Sequence, residues 1–255
     1  MRAIWTGSLS FGMVNIPVKL QSAVQTENLD LDMLSKDDLA PIRYARIDSK
    51  TGEEVANKDI VKGYQYAKGK YVVVTDEDFQ AASPQKSKAI DILQFVKSDA
   101  IDPIYFEKPY YIVPGKGGEK TYNLLLQALE DAGSSGLAEF MLRNREHLCA
   151  IRPYNGILLL NQLRYHEELK EAPEVKGPKT AEKELKLATQ LVKQLSDDFD
   201  PTAFKDDYLE AIKKVIKDKA AGKKVRIVEP QEKTATVKNL MDVLKQSLEK
   251  TKRTA

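Results

Sequence analysis

A chain of 255 residues, 42% hydrophobic and 31% charged, has material for a packed core and a charged exterior. One cysteine, Cys149, rules out an intramolecular disulfide, and no apolar run approaches the roughly 20 residues of a membrane span. The net charge of +2 excludes bulk basicity as a signal: from Lys205 onward there are 14 basic and 8 acidic residues, while residues 1–204 hold 26 and 30, so any anion site there must be a local positive surface.

The opening "MRAIWTGSLSFG" lacks a signal segment, which sets the expectation of a cytoplasmic protein. Trp5, Leu9 and Phe11 lie on odd positions; after Gly12 the apolar set moves to the even positions Val14, Ile16, Val18 and Leu20. That parity shift at a glycine predicts a bulge or tight bend between strand segments. Asn15, Pro17 and Lys19 then share the opposite face, in a stretch of 25 residues that contains Arg2 and Lys19 and no acid. Further strands are predicted at 42–48, 64–75 (turning at Lys68-Gly69), 89–96 and 109–113, and a short capped helix at 75–83. "EHLCAIRPYNGILLLNQLRY" (146–165) reads as a hairpin about Asn155-Gly156. The convincing helix of this half is "TYNLLLQALEDAG" (121–133). Many short strands with few helices predict a mixed α+β chain built on a mostly antiparallel barrel or sheet.

The character changes near Glu171, where "EAPEVKGPKT" reads as a linker. Leu185, Ala188, Leu191, Val192 and Leu195 form one helical stripe; Phe204, Tyr208, Ile212, Val215 and Ile216 form a second, ended by Ala221-Gly222. A polar hinge, "VRIVEPQEKTAT", leads to a tail that spaces Val237, Leu240, Met241, Leu244 and Leu248 along one face.

"VPGKGGEKTYNLLLQAL" raises the question of a phosphate-binding loop. With Lys120-Thr121 as the Lys-Thr pair, glycines are required at 114 and 119, where this chain has Pro114 and Glu119. Proline removes an N–H from the cradle and glutamate places a carboxylate where phosphate should sit, so the loop reads as a strand-to-helix turn. Gly117-Gly118 supply its freedom, and Lys116 and Lys120 are left needing solvent or an anion. His147 and His166 lie outside any ligand cluster, Cys149 falls in strand alternation as a buried thiol, and the acidic pairs sit in polar turns or helix starts. With no catalytic residues, metal site or cofactor indicated, the chain reads as a binding protein. Lys19, Arg43, Arg46, Lys62, Arg143, Arg145 and Arg152 sit in or beside predicted strands, where a row of cations on one concave surface would bind phosphates without reading bases.

Nearly the whole chain resembles the bacterial Ku proteins of double-strand break repair. The resemblance rests on "MRAIWTGSLSFGMVNIPVKL", "DIVKGYQY", "YVVVTDEDF", "IDPIYFEKPYYIVPGKGGEKTYNLLLQAL", "FMLRNREHLCAIRP", "LRYHEEL", "DFDPTAFKDDYLEAIKKVIKDKAAGK" and "LMDVLKQSLE", in this order and spacing. It implies a homodimer whose two chains, each giving a β-barrel and a bridge, close a ring around duplex DNA ends. It implies three segments: a barrel core with its DNA-encircling bridge (1–172), a helical arm that embraces the partner (173–225), and a hinge with a ligase-recruiting helix (226–255). That helix would use Leu240, Met241, Leu244 and Leu248 to recruit the multifunctional ATP-dependent ligase of end joining, in a nucleoid-associated setting. Lys19 is the leading candidate for a DNA contact; Arg143 and Arg145 follow, sharing a face if that segment is extended. Arg43, Arg46, Lys62, Lys116 and Lys120 complete the expected set. Two departures stand out. The family usually has lysine where this chain has Thr6, and many relatives carry a longer lysine-rich extension, so weaker DNA affinity and movement along DNA are expected of a chain ending "TKRTA". The competing reading is a general nucleic-acid-binding barrel or chaperone, which expects aromatics for base stacking on an open sheet face.

Overall fold

The computed structural model describes residues 2–25, 29–82, 88–143, 145–177 and 180–223. Two compact units divide between Glu171 and Ala172. The first contains β1 (Trp5–Phe11), β2 (Val14–Ser22), β3 (Lys62–Ala67), β4 (Lys70–Val74), α1 (Asp76–Ala82), β5 (Ala89–Lys97), β6 (Phe106–Pro114), α2 (Glu119–Ala132), β7 (Ser134–Leu142), β8 (Arg145–Tyr154) and β9 (Ile157–Leu163). The second contains α3 (Glu182–Leu195) and α4 (Asp207–Ala220). The tail positions Leu240, Met241, Leu244 and Leu248, and the whole of segment 226–255, lie outside the described residues.

Seven strands close a barrel in the order β1-β2-β6-β9-β8-β7-β5, antiparallel throughout except at the seam, where β5 runs parallel to β1. The parity shift at Gly12 is a two-residue hairpin, not a bulge: Phe11 pairs with Val14, so an odd and an even position share a face. Gly12 has φ +60°, the left-handed geometry that the first residue of such a turn requires. Leu9, Ile16, Val18 and Leu20 are buried, and Trp5 and Phe11 pack against the same core. Asn155 and Gly156, both at positive φ, make the hairpin between β8 and β9.

Helix α2 contributes Tyr122, Leu125, Leu126 and Leu129 to the core. Its Tyr122 hydroxyl accepts from the Leu158 N–H and donates to the Ile112 carbonyl, each at 2.7 Å, which ties the helix to β6 and β9. Gly133 in the left-handed region ends it, and Lys97 Nζ donates to the Ala132 carbonyl at 2.8 Å. Tyr122→Phe should strand a buried N–H at a cost of about 2 kcal/mol, lowering the melting temperature by about 5 °C; an unchanged melt would show that the hydroxyl is dispensable.

Two sequence expectations fail. Residues 42–48 form no strand; they carry a single bridge, Ile47 to Glu54, in a loop turned by Asp48, whose Oδ1 accepts from the N–H groups of Lys50 and Thr51. A strand over 134–142, β7, is not signalled by "SSGLAEFML", which opens with small residues; Gly136 packs tightly there, since a Cβ would stand 3.2 Å from the Ile92 side chain. In the second unit α3 and α4 follow the expected stripes. Phe204 precedes α4 and stacks on Phe199, with centroids 6.2 Å apart.

Between β2 and β5 the chain leaves the barrel for 66 residues, 23 to 88. The described part holds β3, β4 and α1, none of which has a buried residue. Tyr44, Tyr64, Tyr66, Tyr71, Val72 and Val73 are all at least half exposed. A two-stranded sheet without a core of its own is marginal in water.

Candidate nucleic-acid interface

The alternation of β2 buries Ile16, Val18 and Leu20, which sends Pro17 and Lys19 to the outer wall. Across the sheet Lys19 stands between Thr6 on β1 and Val113 on β6. The glycine-rich loop docks two residues along the same face. Gly115 N–H donates to the Pro17 carbonyl at 2.7 Å, and a Cβ on Gly115 or Gly118 would come within about 3.1 Å of Pro17. These glycines therefore serve close approach to β2, and Gly117, at φ +84°, turns the chain into α2. The docking brings the loop bearing Lys116, and the first turn of α2 bearing Lys120, onto the wall that carries Lys19. All three lysines are exposed and lack an ion-pair partner among the described residues.

The opposite stretch of wall is acidic. Register places Asp91 beside Glu139, and Glu146 beside Met141, on the outer face of β5, β7 and β8, where they border a depression of about 250 Å³. The barrel thus has a lysine-bearing side and a carboxylate-bearing side.

Arg143 and Arg145 lie elsewhere, at one mouth of the barrel. Arg143 is not extended: it occupies the turn between β7 and β8 with φ +53°. The left-handed region costs a non-glycine residue about 1 kcal/mol. Arg145 opens β8 and pairs with Glu168 at 2.9 Å. The two do not form the extended i, i+2 pair, yet both line one cavity of about 430 Å³ together with Lys108, Tyr110, His147 and Gln162. Gln162 Nε2 donates to His147 Nδ1 and to Glu107 Oε2, each at 2.9 Å. Burial, with the Arg145 charge beside it, holds the His147 pKa below its usual value, so the ring is neutral at pH 7. Glu168 is held below the usual carboxylate range by the Tyr165 N–H and by Arg145.

Arg43, Arg46 and Lys62 belong to the exposed excursion between β2 and β5. Lys62 lies over the Phe79 ring, 5.3 Å from its centroid. No contact among the described residues joins these three to Lys19, Lys116 and Lys120 or to the barrel mouth.

Two cations deserve adding to those expected from sequence. Lys108, between Glu107 and Pro109, carries no sequence signal; the barrel places it on the same cavity as Arg143 and Arg145. Arg152 lies over the rings of Phe106 and Tyr154, 5.9 Å from each, and donates to Asn161 Oδ1 at 2.9 Å. Cys149 is fully buried and its thiol pKa is pushed far up by that burial, which suits packing and not nucleophilic chemistry. Among the described residues no three His, Cys, Asp or Glu side chains gather as metal ligands, and no helix is long and apolar enough to cross a membrane.

A closed barrel with a helix in its core, a lysine-bearing wall and a long excursion defines a Ku-type β-barrel protein. A family model described as "Ku70/Ku80 beta-barrel domain" matches residues 10–187, and the chain belongs to the Ku family. It is 40% identical over 256 residues to a protein named "Non-homologous end joining protein Ku" from Archaeoglobus fulgidus, covering 99% of this chain and 100% of that one. Proteins of the same name from Opitutus terrae and Bacillus subtilis are 38% and 36% identical, over 98% and 99% of this chain and 92% and 83% of theirs.

Proposed function

We propose that this chain forms a homodimeric ring that threads onto double-stranded DNA ends without reading sequence, holds them, and recruits the ATP-dependent ligase of end joining. Membership in the Ku family, with relatives named for non-homologous end joining along most of their lengths, supports a role in DNA end joining and repair as a binding protein. The observation that carries the finer reading is the two-sided barrel wall. Lys19 and the docked loop with Lys116 and Lys120 suit a phosphate backbone, while Asp91, Glu139 and Glu146 repel it from the other side. A two-fold dimer doubles that lysine row and matches the pseudo-symmetry of the duplex.

The exposed apolar residues of the excursion support a second copy as the missing cover. So do those of the second unit, where Leu185, Val192, Leu195, Phe199, Phe204 and Tyr208 all face solvent. Exposed Tyr64 and Tyr66 on a free hairpin also favour a second reading, stacking of single-stranded bases. One plasmid, linear or closed circular, in matched salt separates the two. The ring binds the linear form and stays trapped when the ends are sealed; equal binding of both forms, with single strands competing as well as duplex, supports the stacking surface instead.

The ligase proposal rests on the tail. Deleting residues 237–255 should leave end binding intact and abolish stimulation of the ligase. Persistent stimulation would remove Leu240, Met241, Leu244 and Leu248 from that role.

A further inference from the structure

The mouth of the barrel has a floor. Below Arg143 and Arg145 the inner faces of β6, β8 and β9 are filled by buried Tyr110, Cys149, Ile151 and Leu160, and α2 supplies further core. The cavity of about 430 Å³ is therefore closed below by packed side chains. A phosphodiester backbone continues in both directions and needs a groove open at two ends. A phosphate monoester terminates, carries close to two negative charges at neutral pH and offers three acceptor oxygens.

The walls supply matching donors. Lys108, Arg143 and Arg145 line the cavity from three different places in the chain. Gln162 donates to His147 Nδ1, and the ring also hydrogen-bonds the Leu142 backbone, so His147 is held in the wall as a fixed neutral neighbour of the cations. Two carboxylates stand near: Glu168 pairs with Arg145, and Glu107 accepts from Gln162. Neither lines the cavity, and Lys108 and Arg143 have no ion-pair partner among the described residues. Arg143 also holds a left-handed backbone that asparagine or glycine would adopt at less cost, the kind of strained position that often accompanies a functional side chain.

We propose that the barrel mouth, lined by Lys108, Arg143, Arg145, His147 and Gln162, binds a phosphate monoester. The site shares Arg143 and Arg145 with the DNA-ring reading but does not depend on threading. The monoester has two possible sources, a phosphorylated 5′ end of a DNA strand or a free small phosphate compound.

The test titrates the full-length protein with inorganic phosphate at constant ionic strength while the imidazole resonances of both histidines are followed. In parallel, binding of one short duplex with 5′-phosphate or 5′-hydroxyl ends is measured. A saturable shift of His147 but not His166 is expected. Arg143→Asn, which suits the turn, should keep the melting temperature and weaken the effect about tenfold, the loss of one charge-assisted hydrogen bond. Lys108→Gln should do the same. Preference for the phosphorylated duplex, lost in Arg143→Asn, assigns the site to DNA ends; a His147 shift with no end preference assigns it to a free phosphate compound. No His147 shift together with equal binding of the two duplexes overturns the proposal. So does any phosphate effect that survives both Lys108→Gln and Arg143→Asn. Binding of hydroxyl-ended duplex in every case leaves the ring reading standing on its own.

Discussion

Lys19→Glu should weaken binding to linear duplex by on the order of a hundredfold near physiological salt, because a dimer loses two charge-assisted phosphate contacts of about 1.5 kcal/mol each. It should also reduce the slope of log affinity against log salt by about 1.8, since each lost contact removes about 0.9. Both effects follow from the position of Lys19 on the outer wall, between Thr6 and Val113 and two residues from the Pro17 on which the glycine-rich loop sits. The same register makes Thr6→Lys the converse experiment: a second cation beside Lys19 should steepen the slope. Glu139→Lys, on the carboxylate-bearing side, should not weaken binding. A salt slope unchanged by Lys19→Glu, with the fold intact, would take the lysine-bearing side out of contact with DNA.

Gly7→Ala should destabilise the barrel by about 4 kcal/mol or more, a large part of the 5–15 kcal/mol that holds a typical domain together. A Cβ at Gly7 would lie 2.0 Å from the Lys88 carbonyl oxygen and 2.4 Å from the Trp5 ring. That carbonyl accepts from the Ser8 N–H at 2.8 Å and begins the parallel seam between β1 and β5. A backbone oxygen cannot swing aside as a side chain can, so the seam must open. Thermal unfolding checks this. A melting temperature within a degree of the parent would mean that the seam is not needed for closure, and the barrel would then be held by its antiparallel ladders alone.

The barrel strands that announce themselves by strict alternation were readable from sequence, β2 above all, and with them the outward placement of Lys19. Strand β7 was hidden because its inward positions include Gly136 and Ala138, small residues that carry little hydrophobic signal. The segment 42–48 misled for the opposite reason: Ile42 and Tyr44 share a parity and suggest a strand, but they have no barrel neighbour and are exposed. The cationic wall was half legible. Lys116 and Lys120 could be seen to lack a phosphate-loop pattern, but that their loop lands on Pro17 depends on a pairing between residues nearly a hundred positions apart. The mouth was the least legible part, since Lys108, Arg143 and Arg145 meet only when β6 and β8 flank β9, and Arg143 sits in a turn that a two-residue alternation cannot anticipate.

The excursion between β2 and β5 can change in length at little cost to the barrel. To the barrel, those 66 residues are a single loop whose ends must be brought together. The entropy of that closure grows only with the logarithm of length, about 0.6 kcal/mol for each doubling. Ten residues added to the excursion would therefore cost the barrel about 0.1 kcal/mol, and ten removed would return about as much, far less than one lost methyl group in the core. The length of the excursion and the stability of the scaffold are nearly independent variables, and one can be altered by insertion or deletion without renegotiating the other.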